Sequence, residues 1–154
     1  MVRGTKQKRG DLVSVDIGDG TYFYALALTH PLFAFFDRVF AHGETVHDVR
    51  DLSVLFKICV MDRAAKSGRW AVIGKVDPAI VAALDGTVFF KQDLISGKIT
   101  AYDPVADSES SLTFEEADHL EAAAVWDPEH VEDRLRDHIS GVTNKWWASL
   151  RPRK

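Results

Sequence analysis

The chain has 154 residues, 46% of them hydrophobic and 27% charged, with a formal net charge of −4. That is the composition of an ordinary soluble globular protein with one core, and it excludes disordered, collagenous and disulfide-built classes. Cys59 is the only cysteine, so no intramolecular disulfide forms. No apolar run reaches the length of a membrane span.

Residues 1–10, with Arg3, Lys6, Lys8 and Arg9, are polar and basic and lack the apolar core of a secretory signal. They read as a flexible N-terminus of a cytoplasmic protein. The chain reads as a single domain over 1–154, with a β-rich body over 11–103 and a mainly helical, acidic segment over 113–150.

In chain order, Asp11 to Ile17 alternates apolar and polar residues with the period of a half-buried strand. Thr21 to Leu28 resumes in β-forming residues after Asp19-Gly20, a dipeptide that tolerates the positive φ of a tight hairpin. His30-Pro31 interrupts, and Leu32 to Phe40 reads as a third strand with Phe33 and Phe35 on one face. Val46 to Leu52 predicts a short turn or helix. Leu55 to Met61 and Trp70 to Ile73 are apolar runs around the polar connection Asp62 to Arg69, which predicts strand, connection, strand. In that reading Trp70 and Ile73 anchor the sheet, and Arg63, Lys66 and Arg69 face no phosphate or cofactor motif. The stretch builds scaffold, and a partner binds elsewhere.

Asp77-Pro78 has the form of an N-cap followed by a first-turn proline, opening a helix through Leu84. Thr87 to Asp93 and Lys98 to Asp103 form a second hairpin around Ser96-Gly97, and Ala106 to Ser111 reads as a polar loop. Thr113 and Glu116 have capping-box spacing. The clearest helix starts at Asp127-Pro128 and stops at Gly141, with Val131, Leu135 and Ile139 as its packing stripe. Lys145-Trp146-Trp147 and a basic tail close the chain. The two indole rings face about 100° apart on a helix, so one packs inward and the other is left for a partner.

Chemistry-bearing patterns are few. The six histidines include His42 and His47, but no third ligand joins them at zinc-site spacing, and His130 and His138 read as surface residues. No glycine-rich phosphate loop and no nucleophile-elbow serine is present. Cys59 lies between Ile58 and Val60 and reads as a buried, inert thiol. Hence no catalytic, cofactor-binding or metal-binding residue is assigned. Tyr22, Phe23 and Tyr24 beside a hairpin allow a nucleic-acid surface, although the acidic balance opposes phosphate binding. The strongest charge feature lies between Glu115 and Asp137. Nine carboxylates there face only Arg134 and Arg136, a local charge of −7, so the remainder of the chain carries +3. A one-signed face of this kind steers a basic partner.

Several of these pieces resemble the immunity protein 26 family. Gly10 to Val13 with Asp19 to Ala25 is similar to its N-terminal hairpin. Asp51-Leu52-Ser53, Leu55-Phe56, Val60, Asp62, Ser67 to Trp70 and Val72 to Gly74 are similar to its central signature. Ala124 to Leu135 resembles the C-terminal helix of a subset of members, whereas Ile99 to Leu112 matches nothing in the pattern. The resemblance implies an α+β protein that binds and neutralises a cognate toxin of a bacterial polymorphic-toxin system, without catalysis.

The fold expected is therefore α+β: a strongly twisted antiparallel sheet or small β-barrel with a C-terminal helical segment packed against it. The candidate partner contacts are Glu129, Glu132, Asp133 and Asp137, with Trp147 as an aromatic anchor and a basic nuclease as the fitting toxin. The alternative is a small β-barrel module that recognises nucleic acid or a peptide.

Overall fold

In the computed structural model, which describes residues 7–44 and 48–154, a six-stranded sheet is the organising element. Strands β1 (Asp11–Gly18), β2 (Thr21–Ala27), β3 (Leu32–Ala41) and β4 (Val54–Val60) pair consecutively and antiparallel. The first hairpin turns on Asp19 at φ 56° and Gly20 at φ 72°, as the Asp-Gly pair requires. Strand β5 (Ala71–Lys75) does not return against β4. It crosses to the far side and pairs antiparallel with β1, giving the order β5-β1-β2-β3-β4. The connection before it contains a helical turn, α1 (Arg63–Lys66). Strand β9 (Val125–Trp126) adds in parallel to β4. The two edge strands, β5 and β9, do not pair with each other, so the sheet is twisted and open and the barrel alternative falls away.

Both faces of this sheet are covered. One buries Val13, Val15, Phe23, Phe33, Phe35 and Ile58 against Trp70 and against Val131 and Leu135 of α4 (Pro128–Ser140). The other buries Leu12, Leu26, Leu28, Phe36 and Phe40 beneath Val81 and Ile80 of α2 (Pro78–Ala83). Burial on two sides explains why Phe23 to Ala27 is apolar without alternation. Trp70 is 1% exposed and lies just before β5, with its ring edge-on to Phe33 and Phe35 at 5.7 Å each. Ile73, by contrast, is half exposed on the edge strand and anchors nothing.

A second sheet is built from β6 (Phe89–Gln92), β7 (Ile99–Asp103) and β8 (Ser108–Ser111). Strand β8 lies within the stretch whose polar composition reads as a loop. Its serines pair through backbone groups alone and stay exposed. The capping box of Thr113 and Glu116 forms and opens α3 (Phe114–Ala117). After β9 and α4 the chain ends in α5 (Lys145–Ser149) and a tail. Asp48 caps a 3₁₀ turn over Val49–Asp51, while Val46 and His47 lie outside the described residues.

The basic N-terminus is only in part what the sequence suggests. Residues 1–6 lie outside the described residues, but 7–10 are fastened. Gly10 N–H donates to the Ala27 carbonyl at 2.8 Å, and the Arg9 guanidinium grips both carboxylate oxygens of Asp85 at 2.9 and 2.6 Å.

Trp70 fills the space between sheet and helix, so Trp70→Ala is expected to cost about 3–5 kcal/mol of stability. Urea denaturation should show a lower midpoint with an unchanged slope.

Candidate functional site

Helix α4 carries the acidic candidates, and its ends follow the sequence. Pro128 occupies the first turn, and Gly141 closes the helix at φ +68°, where a side chain would be strained. Val131 and Leu135 are buried, but Ile139 is half exposed. On a 3.6-residue helix a four-residue spacing drifts about 40° per step, so the third member of the stripe has turned out of the contact.

Glu132 lies within about 20° of Ile139 on the helix but two turns earlier, where Arg69 and Trp70 cover it. Its side chain is buried although it is a carboxylate, and residue exposure is 4%. Arg69 from the connection before β5 binds it through two parallel bonds, Nε to Oε2 and Nη2 to Oε1, each 2.6 Å. Trp70 Nε1 donates to the same Oε2 at 2.9 Å. All three donors reach one carboxylate, the arrangement that makes a buried charge tolerable.

One turn earlier, Arg63 of α1 binds Glu129, with Nη1 to Oε1 at 2.7 Å and a second bond from Nη2 to Oε2. Arg63 Nη2 also reaches Asp127 Oδ1 at 2.6 Å. Asp127 stands at the N-cap position yet makes no cap bond, because its carboxylate is turned to Arg63. The Arg63 guanidinium holds the Glu129 carboxyl down at about 2. Glu129, in turn with Asp127, raises Arg63 above its ordinary range.

Further along, Asp133 accepts from Arg136 Nη2 at 2.6 Å and from Trp146 Nε1 at 3.2 Å. Arg136 is the main cause holding its carboxyl below the usual range. Asp137 accepts from Asn144 Nδ2 at 2.9 Å, fixing the start of α5. Trp146 stacks on His130 with ring centroids 3.6 Å apart. Trp147 is half-buried against the first core, and the Arg151 guanidinium lies 4.8 Å from its ring centroid.

The five sequence candidates therefore share one helical segment without forming a free acidic face. Glu132 is interior and is withdrawn as a contact. Glu129, Asp133 and Asp137 each have a partner in the fold. Sequence reasoning separated the cations of the central connection from the acids of the helix, and the structure brings them together. The available signal was the charge balance itself, −7 in one segment against an excess of cations elsewhere.

Other candidate chemistry is also placed. Burial pushes the Cys59 thiol up to about 11, which removes the thiolate that reactivity needs. Phe23 and Tyr24 are buried, and Tyr22 stacks on Phe40, so the aromatic hairpin presents no row of stacking rings. A groove of about 570 Å³ over β1 and β2 contains Asp16 and Glu44, but both are engaged. Asp16 accepts from Gly18 N–H, and Glu44 from Ala41 N–H. His130 and His138 lie beside Asp127 and Asp37. Among the described residues no three His, Cys, Asp or Glu side chains converge as a metal site would require, and no helix is long and apolar enough to cross a membrane.

The chain belongs to the immunity protein 26 family, whose model matches residues 8–99. The match takes in Arg63, Arg69 and Trp70 and ends before α4. The Ala124 to Leu135 stretch thus lies beyond it. No curated protein and no solved structure matches the chain.

Two outcomes follow from the helix contacts. Glu132→Ala is expected to lower stability by about 2–3 kcal/mol, because Trp70 Nε1 loses its acceptor while half-exposed Arg69 regains water. Equilibrium denaturation measures this, and a change under half of that would deny Glu132 its structural role. For Glu129 the folded pKa lies below the ordinary value, so its contribution is complete above about pH 4.5 and is lost as pH falls toward 2. The stability gap between wild type and Glu129→Gln should accordingly stay constant from pH 7 to 5 and close below pH 4.

Proposed function

We propose that the protein is a cytoplasmic immunity protein that neutralises a cognate bacterial toxin by stoichiometric, non-catalytic binding. Membership in the immunity protein 26 family carries this reading. The geometry supports binding over catalysis in two ways. The titratable groups where α4 meets the central connection are spent on one another in fixed ion pairs between elements, and the single thiol is buried. Such a body is rigid before it meets its partner, which lowers the cost of association.

The acidic helix is not the basis of our reading of the partner. Glu129, Glu132 and Asp133 are ion-paired with Arg63, Arg69 and Arg136, and Asp137 is hydrogen-bonded to Asn144, so the charge argument for a basic nuclease loses its ground. We leave the toxin's own chemistry open and assign the helix a structural part. The rival reading, a module for nucleic acid, is disfavoured because its stacking platform on β2 is inside the core.

The test is co-expression with the toxic domain encoded by the adjacent reading frame. Growth rescue together with a one-to-one complex on size-exclusion chromatography is the expected result. Cell death with no complex, from a folded and soluble protein, would overturn the proposal.

A further inference from the structure

The turn between β6 and β7 carries the two most exposed large apolar side chains among the described residues. Leu94 is 89% exposed and Ile95 99%. This exposure is built, because the turn is held from several sides. Asp93 Oδ1 accepts from the backbone N–H groups of Ile95 and Ser96, both at 2.8 Å. Gly97 N–H donates to the Asp93 carbonyl and Asp93 N–H to the Lys98 carbonyl, both at 2.9 Å. Gly97 takes the left-handed φ of +75° that the turn needs. Behind the turn, the Gln92 side chain is bonded twice to the backbone of Arg153, through Nε2 at 2.6 Å and Oε1 at 2.8 Å. The C-terminal tail is thereby fastened beside the hairpin.

Leu94 also forms one wall of a groove of about 390 Å³, whose apolar floor includes Phe90, Ala122 and Leu150. Its charged lining consists of Lys91, Arg151 and Arg153, with no carboxylate. Lys91 pairs with Glu109, and Arg151 with Asp118. The Arg153 and Lys98 side chains take part in no ion pair among the described residues. Asp93, the acid nearest the tip, is occupied by the turn. The surface therefore joins a stiff aliphatic knob to a concave, positively lined groove.

We propose that this knob and groove are the surface that holds the toxin, and that they take an acidic segment of it bearing aliphatic side chains. The inference rests on the immunity reading and names its contact surface and partner chemistry. Arg153 in the groove and Lys98 after the turn, unpaired among the described residues, select an acidic occupant by charge complementarity. A polypeptide is favoured over a nucleic acid because the displayed side chains are aliphatic and offer bases nothing to stack on. It is favoured over a bilayer because the knob adjoins a concave groove rather than a flat apolar face. Two aliphatic side chains held in place before binding lose little freedom when a partner covers them.

The test uses the full chain and the purified toxic domain from the adjacent reading frame, with binding followed by surface plasmon resonance. Leu94→Ser/Ile95→Ser is expected to weaken binding at least about ten-fold, chiefly through faster dissociation. Arg153→Glu should also weaken it about ten-fold and flatten its salt dependence, since only the side chain changes and the Gln92 bonds are to backbone. Val142→Ser, an exposed apolar residue after α4, should bind as wild type. An unchanged thermal midpoint for each variant shows that the fold is kept.

Wild-type affinity in the Leu94→Ser/Ile95→Ser variant overturns this inference alone and leaves the immunity reading standing. Failure of wild type to bind the toxin overturns both. Binding to phosphatidylserine vesicles or to a single-stranded oligonucleotide that depends on Leu94 and Ile95 assigns the surface to another class and overturns it. So does wild-type self-association lost in the same variant.

Discussion

One carboxylate decides how the two parts of this chain fit together. Glu132 on α4 is inside the protein, and burying it is tolerable only because Arg69 and Trp70 meet it with three donors. Those donors sit on the connection that leaves β4 and crosses the sheet to start β5. The indole does two jobs at once. Its edges pack on Phe33 and Phe35, and its Nε1 fixes the carboxylate. Helix position, crossover path and the packing of one sheet face are therefore coupled through a single residue pair. Without Glu132 the indole nitrogen would be buried with no acceptor. Without Trp70 the helix would face a void.

Around that buried pair the outer contacts follow a gradient of exposure. Glu129 with Arg63 is open to solvent, so it adds orientation more than stability. Arg134 is more enclosed: it lies 3.8 Å from the Phe56 ring centroid while holding both oxygens of Glu121. Three arginines from outside the segment, Arg63, Arg69 and Arg151, pair with its acids, so part of its formal charge of −7 is offset at short range within the fold.

Local order was legible in the sequence wherever it depended on neighbours in the chain. The Asp19-Gly20 turn, the Thr113–Glu116 capping box and the Gly141 stop all rest on backbone demands that particular residues satisfy. Five of the six strands of the main sheet read directly from their alternation or apolar runs. What could not be read was long-range. Strand β8 is four exposed serine- and glutamate-containing residues whose only reason to be extended is the free edge of β7. Strand β9 is two residues long and exists because β4 offers it a partner. The pairing of Arg63 and Arg69 with acids more than sixty residues away leaves no periodic trace, so a charged helix face looked like display and was internal support. Leu94 and Ile95 were hidden for the opposite reason. They fall in the connection around Ser96-Gly97, where nothing local tells a displayed apolar pair from a folded-back one until the Asp93 turn is seen.

The boundary of the family match gives these observations a common frame. It ends at residue 99, so strands β1 to β5, the crossover and the exposed hairpin tip fall inside it. The acids that neutralise the crossover fall outside, as do Ala122, Leu150, Arg151 and Arg153 from the groove beside the tip. The C-terminal segment thus completes the protein twice. On one side it supplies the buried charge that lets Arg69 and Trp70 cover the core, and on the other it builds a wall against a hairpin that the matched region provides. A contact surface assembled this way separates two demands. The first hundred residues fix where the knob stands, while residues 120–154 set the shape and charge of what lies next to it. Changes in the groove wall then alter which partner fits without disturbing Glu132 or Trp70, because the groove and the ion-paired helix face draw on different side chains of that segment.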